Sequence, residues 1–296
     1  MPEPPIYDAN SLIERGIRDR ATTVERLLDA NLLTYMGGID DRAQVLLKAA
    51  VEAIKPRKRR LVVSLETNGG FVESAERIVN TLRHHYRIID FIVTTFAMSA
   101  GTVLVMSGDS IYMDYSATLG PIDPQLKRPG SQRYVPALGY LEEFHRLVEK
   151  SKPENGGLAP AELAYLLKNF DPAELYQYEQ ARELSVALLE EWLVKYKFKN
   201  WKITETHGTR VTPARKRQRA SEIATKLNET QHWHSHGRGI SMQVARRDLN
   251  LQINDLDDQP ELRDNLAAYH VLLSDYRMKR GHDNFTVDCV GGYFGY

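Results

Sequence analysis

The chain has a single cysteine, Cys289, in 296 residues, which excludes an internal disulfide framework and any multi-cysteine zinc or iron–sulfur site. It has no surplus of either charge. Its 39 Lys and Arg balance 39 Asp and Glu, so a general nucleic-acid coat protein, which needs a clear basic excess, is disfavoured. No window approaches the run of about 18 apolar residues that a spanning helix requires. Residues 1–20 place Pro, Asp, Glu and Arg where a signal peptide would be apolar. There is no strand-linked Gly-x-Gly-x-x-Gly dinucleotide motif and no internal repeat. What remains is the expectation of a soluble, cytoplasmic, globular protein, with 42% apolar residues to fill its core.

Residues 1–21 read as a polar arm. Thr22-Thr-Val-Glu25 has the pattern of a capping box and predicts a short helix start. Leu32–Met36 reads as extended, Gly37-Gly38 as a break, and Asp40-Asp41 as the acidic entry to a further helix. Lys55-Pro-Arg-Lys-Arg-Arg60 reads as a solvated turn, with a phosphate patch as the alternative. Leu61-Val-Val-Ser-Leu65 is a continuous apolar run of strand length, ended by Thr67-Asn-Gly-Gly70. Ala75, Ile78, Val79 and Leu82 mark a helical face, residues 88–95 a second buried strand, and residues 110–113 a third. Strands alternating with helices in this order predict a parallel sheet with crossover helices, an α/β core over about 32–123.

Beyond Pro129 the pattern turns helical, with a helix over about 138–150 and another opened by Asp171-Pro172. Residues 199–219 are basic and poorly periodic. Arg215-Lys-Arg-Gln-Arg219 reads as a solvated loop or helix face, or as a contact for phosphate or an acidic partner. Residues 220–227 are helical again, and Ile240-Ser241 opens a helix through Ala245. The tail beyond Asp255 predicts one or two helices and a frayed aromatic terminus.

Ser99 is the sharpest chemical feature. It follows an apolar strand where the chain turns into a helix, among the small residues Ala97, Ala100 and Gly101. Such a turn projects a hydroxyl, admits substrate, and leaves a free amide beside developing negative charge. A helix cap is the plain alternative. Gly69-Gly70, at the end of the neighbouring strand, leaves backbone amides uncovered, so an amide there and that of Ala100 can share one oxyanion. Adjacent parallel strands bring those two ends together. Cys289, with no base beside it in sequence, is not a candidate nucleophile.

Three motifs, Thr67-Asn-Gly-Gly70, Ala97-Met-Ser-Ala-Gly-Thr102 and Leu119-Gly-Pro-Ile-Asp-Pro-Gln125, resemble the signatures of the serine dehydrogenase proteinase family. That family lies in the Clp-protease/crotonase-like group, with the signal peptide peptidases. The 29-residue step from Gly70 to Ser99 is similar to the spacing of oxyanion glycine and nucleophile in Clp proteolytic subunits. Tyr35-Met-Gly-Gly-Ile-Asp40 resembles their first strand and turn. The resemblance covers about 30–126 well and about 160–255 weakly. It implies a crotonase-like spiral of ββα units with additional C-terminal helices and serine peptidase activity on protein or peptide substrates. It also implies homo-oligomeric assembly, a regulatory protein partner as an option, and no metal, nucleotide or redox cofactor. The domain reading is a polar arm at 1–21, a Clp/crotonase-like serine protease domain at 22–255 with a helical insertion at about 127–219, and a helical tail at 256–296. Many members of the family carry a membrane segment near the N-terminus, which this sequence does not show.

The resemblance also raises a difficulty. Clp subunits place a catalytic histidine about 25 residues after the serine, a stretch that here holds Asp123 and no histidine. The segment from His236 to Ala245 is similar to the one that carries the Clp aspartate, with His236 one position before the expected acid. The chemistry requires a base on the serine and an acid on that base, whatever their chain order. The expected set is therefore Ser99 as nucleophile, His236 as base, Asp123 as its orienting carboxylate, and the amides of Gly70 and Ala100 as oxyanion hole. A Ser–Lys dyad is the alternative, with Lys168 beside Leu166, Leu167 and Phe170 as its first candidate and Lys150 and Lys152 behind it. A lysine base must be desolvated to lose its proton. The alternative reading of Asp123 is a turn anchor. His232, His234 and His236 alternate and would share one side of an extended segment, which admits a metal reading that lacks further ligands and is set aside. Trp233 then faces the core. Two functions compete with the protease: a catalytically silent scaffold that binds a partner, and a crotonase-like acyl-CoA enzyme using the same amide pair.

Overall fold

The computed structural model describes residues 8–122, 125–127, 134–204, 208–229, 233, 237–290 and 292–296. Asp123 and His236, with His232 and His234, lie outside the described residues.

The three expected strands form, and the segment read as extended at 32–36 joins them as a fourth. β1 (Asn31–Gly37), β2 (Arg60–Glu66), β3 (Ile88–Val93) and β5 (Ser110–Met113) pair in parallel, and β10 (Asn254–Asp255) extends the same edge. β11 (Phe285–Cys289) adds antiparallel to β1, and β12 (Gly292–Gly295) antiparallel to β11. The order of the seven strands is β10-β5-β3-β2-β1-β11-β12. Both faces are covered, as a parallel sheet requires. On one face lie α2 (Asp41–Ala53), α3 (Val72–His85) and α4 (Ala100–Met106), packed on Leu33, Leu61, Val63 and Phe91. On the other, α1 (Ala9–Leu28) and the C-terminal helix (Pro260–Lys279) cover Leu32, Val62 and Ile92.

Four further helices, α5 (Ala137–Ser151), α6 (Pro160–Asn169), α7 (Pro172–Trp192) and α8 (Pro213–Asn228), occupy the segment read as an insertion. Asp171 accepts from the amides of Ala173 and Glu174, the cap that its Asp-Pro pair predicted. α7 and α8 join the main core through Leu188, Leu189, Trp192, Ile223 and Leu227. α9 (Met242–Asp248) begins at Ser241, and the C-terminal helix is α10. No helix among the described residues is long and apolar enough to cross a membrane.

The structure departs from expectation at both ends of the chain. The first helix starts at Ala9, capped by Asp8, and not at the Thr22 motif. Thr22 and Thr23 instead donate back to the carbonyls of Arg18 and Asp19, the mid-helix alternative for a hydroxyl. The tail is helical only through Lys279; Phe285–Cys289 is a wholly buried strand. Two of its residues, Thr286 and Asp288, are polar, and the Asp288 carboxylate accepts at 2.6 Å from the hydroxyl of Tyr269 on α10. The aromatic terminus is ordered against it, with Phe294 and Tyr296 stacked on Phe285.

Candidate active site

The site begins at the C-terminal ends of β2 and β3. Past β2 the chain makes one more parallel contact: the Thr67 amide donates to the Phe96 carbonyl at 3.1 Å, and the Met98 amide to the Thr67 carbonyl at 2.9 Å. Phe96–Ala97 is β4, and it delivers the chain to Ser99. Ser99 has φ 51 and ψ −120, the values of the first central residue of a type II′ turn, a position that favours glycine. A non-glycine residue there carries strain of order 1–3 kcal/mol, which persists only when its surroundings hold it. Ser99 stands at the N-cap position of the following helix, but its side chain makes no capping hydrogen bond. Residue 99 is partly exposed, and the helix behind it is fully buried.

Thr102 does much of the holding. Its hydroxyl lies 2.8 Å from the carbonyls of Ala97 and Gly120 and accepts from the Gly120 amide at 2.9 Å. One side chain therefore ties the elbow to the Leu119-Gly-Pro-Ile loop.

Gly69 and Gly70 are the other half of the site. Gly69 has φ +96, and a methyl group on it would lie 2.6 Å from the Met98 carbonyl oxygen, 2.8 Å from Ser99 Cβ and 3.3 Å from the Ala100 nitrogen. The glycine turn thus sits directly against the serine elbow, as the motif spacing required. A methyl on Gly70 would lie 2.1 Å from the Ile39 carbonyl oxygen. The Gly37–Asp40 turn braces it from behind: the Ile39 amide donates to the Gly69 carbonyl at 2.9 Å and the Phe71 amide to that of Ile39 at 2.8 Å. The Gly69 amide is engaged by Thr67 Oγ1 at 2.9 Å. The amides of Gly70 and Ala100 donate to no acceptor among the described residues. Gly69 and Thr102 were not among the expected site residues, although both stand inside the quoted motifs; a glycine pair in sequence does not say which member touches the serine.

A small sheet relates the remaining segments. β6 (Thr118–Leu119) runs parallel to β4 and antiparallel to β9 (Ile240–Ser241), pairing Thr118 with Ser241 and Leu119 with Ile240. The C-terminal ends of β4 and β6 and the N-terminal end of β9 therefore share one edge. Ser99 follows the first, Ile122 the second, and Gly237 to Gly239 precede the third. A third, two-stranded pairing, β7 (Gln125–Lys127) with β8 (Tyr134–Pro136), follows. Trp233 is core, as read, with its indole donating to the Lys226 carbonyl at 2.7 Å.

The lysine candidates are not in that setting. Lys168 is exposed on α6, and its neighbour Leu167 is 76% exposed, so no described residue buries the amine. Lys150 is paired with Glu162 at 2.6 Å and Lys152 with Glu149 at 2.7 Å. One half-buried lysine does have its pKa pushed down by desolvation, to about 8: Lys197, whose charge neighbours Asp90 and Asp109 lie toward the opposite end of the strands. The run at 55–60 is a turn tied to the protein, with Lys58 and Arg60 engaging carbonyls of α1. Among the described residues no group of His, Cys, Asp and Glu is arranged to hold a metal ion.

Residues 25–144 match the family described as ClpP-like SDH-type serine proteinase. Two uncharacterized proteins of Methanocaldococcus jannaschii are similar in sequence. One is 29% identical over 145 residues, 46% of this chain and 47% of that protein; the other is 38% identical over 88 residues, 30% of each. The chain thus spans about half the length, or less, of the curated relatives it matches. Among solved structures, a mutant of a membrane-bound stomatin-specific protease aligns with TM-score 0.44 at 11% identity, covering 77% of this chain and 81% of that one. ClpP1 from Listeria monocytogenes aligns with TM-score 0.41 at 10% identity, covering 79% and 94%. Residues 25–144, which hold both the glycine turn and the serine elbow, are thus the part of this chain that is similar to the ClpP-like SDH-type serine proteinases.

Proposed function

We propose that the protein is a serine endopeptidase working through an acyl-enzyme on Ser99. The observation that carries this reading is the strained backbone of Ser99, φ 51 and ψ −120, pressed against a glycine turn with two unused amides nearby. In the proposed reaction the Ser99 hydroxyl adds to the peptide carbonyl and gives its proton to a general base. The amides of Gly70 and Ala100 hold the resulting oxyanion, worth about 3 kcal/mol per donor where such donors have been removed. The base then protonates the leaving amine, and water reverses the sequence to release the acid.

His236 as base and Asp123 as its orienting carboxylate remain the proposed partners. The shared edge of β4, β6 and β9 supports them, because the described residues adjoining both positions emerge beside the elbow. The proposed substrates are polypeptides, and assembly into a homo-oligomer is proposed on the family resemblance. A fluorophosphonate probe should label the wild-type protein and leave Ser99→Ala unlabelled, with peptide hydrolysis lost in parallel. Equal labelling of the two proteins removes Ser99 from the role.

A further inference from the structure

The basic stretch at 195–219 is not absorbed by this chemistry. It holds nine of the 39 basic residues and one of the 39 acidic ones, so the rest of a formally neutral chain is net acidic. In the structure it folds back on itself. Ile203 and Arg210 form an antiparallel bridge, and the Val211 amide donates to the Lys202 carbonyl at 2.9 Å. This ribbon and the start of α8 enclose a groove of about 800 Å³.

The groove has an apolar floor and a cationic rim. Val194, Trp201, Ile203 and Val211 line it, with Ile203 61% exposed. Lys199 and Lys216 are already used: the first pairs with Asp109, and the second donates to the Lys199 carbonyl at 3.0 Å. Lys202 and Arg210 are exposed on the rim and form no ion pair among the described residues. Among the described residues no acidic one lines the groove. The Asp109 that anchors Lys199 follows the C-terminal end of α4, whereas Ser99 precedes its N-terminal end, so the groove and the candidate active site lie at opposite ends of that helix.

We propose that this groove docks an acidic polypeptide segment of a partner protein, one that carries an aliphatic or aromatic side chain between its carboxylates. The two unpaired cations meet the carboxylates, and the apolar floor takes the side chain. Charge complementarity of this kind sets specificity and association rate, while the desolvated apolar contact supplies the anchor. Single-stranded nucleic acid fits less well, because it needs a row of aromatic platforms along a basic track and the floor offers one indole among aliphatic groups.

Fluorescence anisotropy on the full chain tests this with four labelled probes of equal length. They are a Glu/Asp-rich peptide with a central Leu-Phe pair, the same peptide with Lys for each acid, poly-Glu, and a single-stranded oligonucleotide. The expected order places the Glu/Asp-rich Leu-Phe peptide first. Its affinity should fall about tenfold in the doubly reversed K202E/R210E protein and also in Ile203→Ser, while circular dichroism of both variants stays that of the wild type. Binding should be unchanged in Ser99→Ala. Absence of binding, equal binding to the charge-reversed protein, or loss in Ser99→Ala overturns the proposal. A preference for the oligonucleotide assigns the surface to nucleic acid instead.

Discussion

The two ends of the central sheet are built on opposite principles. Where β2 and β4 end, the chain keeps a strained serine, two glycines and two amides without acceptors among the described residues. Where β3 and β5 begin, it gathers charge and matches it. Arg60 holds Asp90 at 2.5 Å and Tyr112 at 3.0 Å. Asp109 takes Arg83 at 2.8 Å, the Ile89 amide at 2.8 Å and Lys199 besides, and Arg83 lies 3.7 Å over the ring of Tyr196. The hydrogen bonds from Lys199 and the Ile89 amide and the Arg83 guanidinium outweigh burial and hold the Asp109 carboxyl below its ordinary value. The serine end keeps donors free at a cost in strain; the opposite end sets its buried carboxylates, Asp90 and Asp109, against arginines.

Breaking the matched end should have the larger effect on stability. Asp109→Ala leaves Arg83, 11% exposed, with its cation unpaired and strips the Ile89 amide of its acceptor. Removing one partner of such a cluster costs about 3–5 kcal/mol. Denaturant unfolding should show that loss. A cost under about 1 kcal/mol would mean that the cluster is solvated and that the two ends differ less than their geometry says.

Breaking the open end should separate activity from stability. Gly70→Ala forces a methyl group to within 2.1 Å of the Ile39 carbonyl, and backbone on both sides must shift. We expect about 2–3 kcal/mol of destabilisation, since overpacking of this kind rarely costs more. Peptide hydrolysis should fall by about a thousandfold, because a displaced oxyanion donor acts on the transition state alone. Full activity at normal stability would show that the Gly70 amide is not part of the chemistry.

The same contrast explains what could be read from the residues alone. The parallel strands were legible because Leu61–Leu65 and residues 88–93 are apolar without interruption, as only a strand covered on both faces needs to be. The serine elbow and the glycine turn were legible because both are local, each a few residues of fixed type at fixed spacing. β11 was not, since Thr286 and Asp288 are polar residues in a wholly buried strand, and the Tyr269 hydroxyl that donates to Asp288 comes from a helix outside the strand's own pattern. The first helix was partly legible. Ile13, Ile17, Ala21, Val24 and Leu28 recur at helical spacing, but Thr22 and Glu25 imitate a start inside it. The partner of Ser99 was the least legible element, because a triad is an arrangement in space that may draw on any order in the chain.

Asp288 sharpens the comparison from the middle of the sheet, since it is a buried carboxylate with no cation against it. It accepts from Tyr269, whose hydroxyl also lies 2.8 Å from Thr34 Oγ1, while Arg18 and Glu14 oppose one another at longer range. Burial pushes its pKa up to about 7, from an ordinary 3.8. A carboxyl raised in the folded state binds its proton more tightly there than in the unfolded chain. Its contribution is therefore intact below about pH 4 and is lost as the pH climbs through about 7. The span between the two values caps the loss at about 4 kcal/mol, and relaxation around the charge should reduce it to about 2. Asp288→Asn keeps an acceptor for Tyr269 and cannot ionise. At pH 8 it should be more stable than the wild type by about 2 kcal/mol, with the difference vanishing near pH 4. Parallel stability curves for the two proteins across that range would place the carboxylate in contact with water or a cation, and the middle of the sheet would then follow the rule of its charged end.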